Sequence, residues 1–251
     1  MVEQYYKFNK NMPNAIVFGA TSGIGKQLSE MLLADGFKVA ITGRRLDKLE
    51  AIKSTKPESY IIKQNDVQDI DQIEKVFNDL VLELGSVDII IHSSGIGYEN
   101  PELNWQKEHD TVKTNVIGAT RIYDLGYNLF KKQGFGHLVG ISSIASLRGN
   151  RESPAYFASK AFQVNYLESL YFKTKEVKGG NVYITDVRPG FVDTKMALGD
   201  GIFWMASLNK ASKQIYSAIK RKKRRVYISK RWNLISWVLK IVPSWLMKKV
   251  M

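Results

Sequence analysis

Tyr156 and Lys160 stand four residues apart in Tyr156-Phe157-Ala158-Ser159-Lys160, a spacing that puts a phenol and an ammonium on one face of a helix. A phenol of ordinary pKa near 10 is a poor base at neutral pH. A neighbouring cation favours its ionised form and fits it for exchanging a proton with an oxygen atom. Ser143 lies 13 residues before Tyr156, directly after the apolar run Leu138 to Ser142. Ligand-facing groups gather at such carboxyl strand ends, where a hydroxyl can donate to the same oxygen. Asn115 falls in a helical stretch, 111–125, and by itself is an ordinary helix residue. Four-residue spacing is common, so the pair gains meaning only with Ser143, Asn115 and a place for a reaction partner.

A glycine-rich turn offers that place. Gly19-Ala20-Thr21-Ser22-Gly23-Ile24-Gly25 follows the apolar run Ala15 to Phe18 and opens a helical pattern through Leu28, Met31 and Leu32. Backbone N–H groups and a helix N-terminus at such a turn can face a pyrophosphate, although a plain tight loop has the same composition. The next apolar run, Lys38 to Thr42, ends at Gly43-Arg44-Arg45 with no acid. A carboxylate there would bind a ribose 2′-hydroxyl and repel a 2′-phosphate, whereas arginine presents a planar fork to phosphate oxygens. NADP(H) is therefore expected over NAD(H); the alternative for Arg44 and Arg45 is two solvated loop charges.

The elements that must position these residues alternate along the chain. Further strands are expected at 60–63, 87–92, 136–142 and 181–187, with helix-length segments between them. Val87 to Ile91 and Leu138 to Ile141 are almost continuously apolar, as strands covered by helices on both faces are. The fold class is α/β, a doubly wound parallel sheet. The chain of 251 residues suits one domain of this class. It has no cysteine, which excludes disulfides, thiolate nucleophiles and zinc-thiolate sites. The N-terminal residues lack the order of a secretory signal and no run of about 18 apolar residues occurs, so a cytoplasmic body is expected.

Taken together, Gly19 to Gly25, Asn115, Ser143, Tyr156, Lys160 and Arg188-Pro189-Gly190 resemble the short-chain dehydrogenase/reductase family over about residues 14–195. The resemblance implies a Rossmann-type, three-layer α/β/α fold and hydride transfer between a nicotinamide and a carbonyl or secondary alcohol carbon. It implies Tyr156 as general acid/base, Ser143 polarising the carbonyl, Lys160 holding the ribose and lowering the phenol's pKa, and Asn115 holding a relay water. Gly19, Thr21, Ser22, Gly23, Ile24, Gly25, Arg44 and Arg45 would meet the phosphates and ribose, and Asp66 and Val67 the adenine. Ser94, Gly95, Pro189, Gly190 and Thr194 would complete the cofactor site with Tyr156 and Lys160. Where the family has Asn-Asn-Ala-Gly this chain reads His92-Ser93-Ser94-Gly95, and Phe18 replaces the usual threonine. His92 is expected to be a hydrogen-bonded structural residue. No metal site is expected.

Charge divides the chain unevenly. It carries 37 basic and 24 acidic residues, and residues 201–251 hold 13 of the basic and none of the acidic, so residues 1–200 balance at 24 against 24. Lys220 to Arg225 is a run of six cations, followed by Val226-Tyr227-Ile228 as a possible last strand. Four of the five tryptophans also follow residue 200, and the apolar stretch Trp232 to Val242 is too short to span a bilayer. We read residues 1–215 as the catalytic domain, with 196–215 covering a lipophilic substrate, and 216–251 as a basic, aromatic tail. Residues 220–251 suit peripheral contact with the inner face of a membrane; packing onto the core or a partner subunit is the alternative. Nucleic acid is not expected as a partner, because no nucleic-acid-binding fold accompanies the charge; a homodimer or tetramer is. A nucleotide-sugar epimerase would want a further substrate domain, and a non-catalytic NADP(H) sensor or scaffold at a membrane surface is the rival from another class.

Overall fold

The computed structural model describes residues 12–194, 204–229 and 231–250. Its strands are β1 (Asn14–Phe18), β2 (Lys38–Gly43), β3 (Tyr60–Gln64), β4 (Ile89–His92), β5 (Phe135–Ile141), β6 (Asn181–Pro189) and β7 (Arg225–Ile228). They form one parallel sheet in the order β3-β2-β1-β4-β5-β6-β7. The helices are α1 (Gly23–Ala34), α2 (Leu46–Lys53), α3 (Ile70–Leu84), α4 (Trp105–Val112), α5 (Ala119–Gln133), α6 (Pro154–Lys173), α7 (Leu208–Lys220), α8 (Arg231–Ile241) and α9 (Ser244–Val250).

All four residues of β4, Ile89-Ile90-Ile91-His92, are buried, because helices cover both faces of the sheet. On one face Leu28 and Leu32 of α1, Leu49 of α2 and Ile215 of α7 pack with Val17, Ile41 and Ile91. On the other, Phe77 and Leu80 of α3, Tyr123 and Phe130 of α5 and Leu167 of α6 pack with Ile16, Ile90 and Leu138. This is the expected doubly wound, three-layer Rossmann-type fold. After β3 the chain crosses β1 to build the other half of the sheet from β4, so the connections leaving β1 and β4 diverge and open a crevice at their carboxyl ends.

Two expectations gain detail. The stretch 111–125 is helical throughout, with a π-helical turn, Lys113–Gly118, joining the end of α4 to the start of α5. The division at residue 215 falls inside α7, whose Ala211, Ile215 and Ile219 belong to the core. Beyond it β7 extends the sheet beside β6, with Val187 opposite Val226. The α/β body thus runs through Ile228, and the segment outside it begins with α8. The run Lys220 to Arg225 is the end of α7 and the turn into β7. Arg224 and Arg225 pair with Glu168, Lys220 with Asp35, and the Lys222 ammonium lies 4.0 Å from the Tyr183 ring centroid. Ion pairs and a ring face thus take up much of this run, which is no bare charged block. Met196, Ala197, Leu198 and Phe203 of the expected substrate cover lie outside the described residues. Among those described, no helix is long and apolar enough to cross a membrane.

Candidate active site

The loop from β1 into α1 is built for close approach. Gly19 and Gly23 have φ of +82° and +59°, conformations that glycine adopts without strain. A Cβ on Gly25 would lie 2.3 Å from the Gly19 carbonyl oxygen, and one on Gly19 would lie 2.6 Å from Ser94 N. Neither position has room for a side chain, so main chain packs on main chain where β1 turns into α1, and such a glycine turn at a helix N-terminus fits a pyrophosphate. Ser22 is the residue before α1, and its hydroxyl is not used as a cap. Arg45 Nη2 instead donates to Thr21 Oγ1 at 2.6 Å and Ser22 Oγ at 3.0 Å, holding a cation over the turn. Arg44 joins the structure through its main-chain carbonyl, which accepts from Gln64. Thr194 reaches the same turn, its Cγ2 lying 3.6 Å from where a Gly23 Cβ would stand. Asp66 closes a local turn, its Oδ1 accepting from Gln68 N, and Val67 is buried beside it.

At the carboxyl ends of β4 and β5 the second group of residues converges. Gly95 lies where an added Cβ would be 3.4 Å from Asn115 Oδ1 and 3.5 Å from Lys160 Nζ, and Gly97 packs directly against the Tyr156 ring. Lys160 Nζ is 5.9 Å from the centroid of that ring. Burial raises the pKa of Tyr156 above the ordinary phenol value, and hydrogen bonding with Ser143 partly offsets it. Ser143 Oγ also accepts from Ala145 N at 3.1 Å, capping the short 3-10 helix Ile144–Leu147.

Lys160 is 4 % exposed, and burial pushes its pKa down to about 8 against the opposing pull of Asp186. Its ammonium donates to the Ile141 carbonyl at 3.1 Å and to Gln163 Oε1 at 3.0 Å. Gln163 Nε2 in turn donates to the main-chain carbonyl of Asn115 at 2.8 Å. The Asn115 side chain accepts from Ile96 N and donates to Ile96 O and Ser159 Oγ, fixing the loop after β4. Gln163 thus bridges Asn115 and Lys160, the place where the resemblance suggests a water. It stands three residues beyond Lys160 on α6, so the helical spacing that joins Tyr156 to Lys160 could have found it.

Three further groups escaped the sequence reading. Asp186 is a buried acid that accepts from Ser142 Oγ at 2.5 Å and pairs with Arg188 Nε at 2.6 Å. Trp232 of α8 is buried against Gly190, where a Cβ would come within 2.1 Å of its Nε1. Arg148 donates to the carbonyls of Leu239 and Val242 at the far end of α8. No local pattern links either Trp232 or Arg148 to the catalytic motif. His92 is hydrogen-bonded, as expected, with Nδ1 3.0 Å from Tyr123 Oη; burial first, and then Lys160, pushes its pKa to about 3.

An electron-rich oxygen near Tyr156 and Ser143 would meet a protonated phenol, a hydroxyl and a nearby cation, beside a glycine turn suited to phosphate. A model of the short chain dehydrogenase family matches residues 13–200. The chain belongs to the short-chain dehydrogenase/reductase family. This short-chain dehydrogenase is accordingly an oxidoreductase acting on a CH–OH or C=O carbon. It is 31 % identical over 185 residues to carbonyl reductase family member 4 of Xenopus tropicalis, covering 73 % of this chain and 77 % of the relative. It is 31 % identical over 188 residues to 15-hydroxyprostaglandin dehydrogenase [NAD(+)] of Mus musculus, covering 72 % and 67 %. The fold is similar to that of the alcohol dehydrogenase from Thermococcus sibiricus complexed with 5-hydroxy-NADP. That likeness has a TM-score of 0.77 at 21 % identity, over 87 % of this chain and 96 % of the other.

Proposed function

We propose that this short-chain dehydrogenase uses NADP(H) to interconvert a lipophilic carbonyl compound and its secondary alcohol, with Tyr156 as the proton-transferring residue. The observation that carries the reading is the grouping of Ser143, Tyr156 and Lys160 beside the glycines that follow β4. When bound, the nicotinamide supplies or accepts the hydride. A phenol held above its ordinary pKa is protonated at neutral pH, so Tyr156 Oη can give its proton to the substrate oxygen in the reducing direction. Ser143 Oγ donates to that oxygen and stabilises the charge gathering on it. Lys160, anchored by Ile141 and Gln163, keeps a positive charge near the phenol and stabilises the phenolate left when the proton is given. Gly19, Thr21, Ser22, Gly23, Ile24, Gly25, Ser94, Gly95, Asp66, Val67, Pro189, Gly190 and Thr194 hold the cofactor.

The preference for NADP(H) is supported by Arg45 over the turn and the lack of an acid after β2; an NAD(+) enzyme and an NADP-type complex both stand among the proteins the chain resembles. A cytoplasmic enzyme, dimeric or tetrameric and peripherally bound to a membrane through its C-terminal helices, completes the reading. The test is NADPH consumption with ketones, 3-oxoacyl compounds and steroid-like carbonyls. Tyr156→Phe is expected to lower kcat by about 10²–10⁴-fold while NADPH affinity stays unchanged. A near-normal rate in this variant overturns the assignment, and NADPH binding by the wild type without turnover of any carbonyl turns the reading toward a sensor.

A further inference from the structure

α8 has two unlike faces. Trp232 and Ser236 are 3 % and 2 % exposed and face the body of the protein. Leu234, Trp237 and Ile241, at 75 %, 68 % and 72 % exposed, recur at helical spacing on roughly the opposite side. Trp245 and Leu246 of α9 are exposed as well. A contiguous stripe of this kind is unusual on a protein surface that meets only water. The helix cannot span a bilayer, since eleven residues reach only about 16 Å of the roughly 30 Å of hydrocarbon.

Charge selects the occupant. From Arg231 to Met251 the sequence contains Arg231, Lys240, Lys248 and Lys249 and no acid; Arg231 and Lys248 are exposed beside the stripe. A second copy docking here across a two-fold axis would set this cationic segment against itself. Nucleic acid would call for cations on the contact face, which here consists of leucine, tryptophan and isoleucine. An anionic bilayer meets both requirements: apolar side chains enter the headgroup boundary and flanking cations meet lipid phosphates.

We propose that the outer face of α8, continued by α9, docks in the plane of an anionic lipid surface and thereby brings the substrate side of the active site to that surface. The inner face supports the second half of the statement. Trp232 packs on Gly190 and meets Phe191 and Trp204 edge to face at 5.6 and 6.3 Å between ring centroids. Arg148, at the end of the 3-10 helix that Ser143 caps, is hydrogen-bonded to the Leu239 and Val242 carbonyls. α8 is thus fastened to the two segments that leave β5 and β6 at the active site. A surface resting on its outer face lies about one helix diameter, roughly 10 Å, from both. This docking rests on the peripheral membrane contact proposed above and gives it a face and a lipid charge, and flotation reads it independently of carbonyl turnover.

The full-length protein is floated with vesicles of phosphatidylcholine alone and of phosphatidylcholine with phosphatidylglycerol. The wild type is expected to float with the anionic vesicles, and less so as salt rises. Leu234→Glu/Trp237→Glu is expected to lower the partition coefficient at least about tenfold, while an unchanged melting temperature shows that these exposed positions have not disturbed the fold. Absence of wild-type flotation, or equal flotation of the double variant, overturns the proposal. So does a fall in oligomer size in the double variant without vesicles, which would make the stripe a contact between copies. Carbonyl turnover without flotation removes the docking and leaves the oxidoreductase; flotation without turnover does the reverse.

Discussion

Lys160 enters the protein interior as a charge with two acceptors, the Ile141 carbonyl and Gln163, and the opposing fields of burial and Asp186 set its pKa near 8. Its position is therefore fixed from below by groups the substrate never meets. Tyr156 and Ser143 draw notice in the sequence because each carries a hydroxyl at a telling place, one four residues before a lysine and one at a strand end, whereas Asn115 stands out only through the family resemblance. Gln163 and Asp186 were not legible, because a buried amide or acid announces itself only through the partner it satisfies. Arg45 was legible as a cation but not as the one of the adjacent pair whose guanidinium reaches Thr21 and Ser22. Placed there, it has the geometry to accept a 2′-phosphate, so Arg45→Asp should weaken NADPH binding about 10–100-fold, the loss of one or two charge-assisted bonds, and spare NADH. Parallel fluorescence titrations with the two cofactors measure this, and an unchanged ratio of affinities removes Arg45 from the specificity site.

Strands are the elements the sequence disclosed best, because β1, β4 and β5 are buried on both faces and so read as nearly uninterrupted apolar runs. The π-helical turn Lys113–Gly118 was invisible, since one extra residue in a turn leaves no apolar period to detect. Its cause lies in packing. A Cβ on Gly118 would stand 2.1 Å from the Val67 carbonyl oxygen, so only glycine lets this turn rest on the segment after β3. The turn also presents the Asn115 carbonyl to Gln163 and thus ties the proposed adenine side to the catalytic side. Gly118→Ala must push main chain from main chain, at a cost of about 1–3 kcal/mol. Urea denaturation should show that loss together with weaker NADPH binding; an unaltered midpoint would mean that the contact relaxes without consequence.

For the molecule as a whole, charge sets the limits of stability. The net charge of +13 grows as acid neutralises carboxylates, and self-repulsion grows with it. Two buried histidines add a specific term. His92 sits against Tyr123, and His137 Nε2 is 2.7 Å from Thr185 Oγ1. Burial, joined by Lys160 for the first and Lys222 for the second, lowers both pKa values to about 3. In the unfolded chain each titrates near 6.5. Between these values the unfolded state binds two protons that the folded state refuses, so stability is complete above pH 6.5 and drains away as pH falls toward 3. At pH 5 the loss is about 2 kcal/mol per histidine. His92→Asn keeps a hydrogen-bonding partner for Tyr123 and removes one titrating group, so its urea midpoint should fall less than that of the wild type between pH 7 and pH 5. Equal falls would show that His92 does not resist protonation and that the acid sensitivity belongs to the net charge and His137 alone.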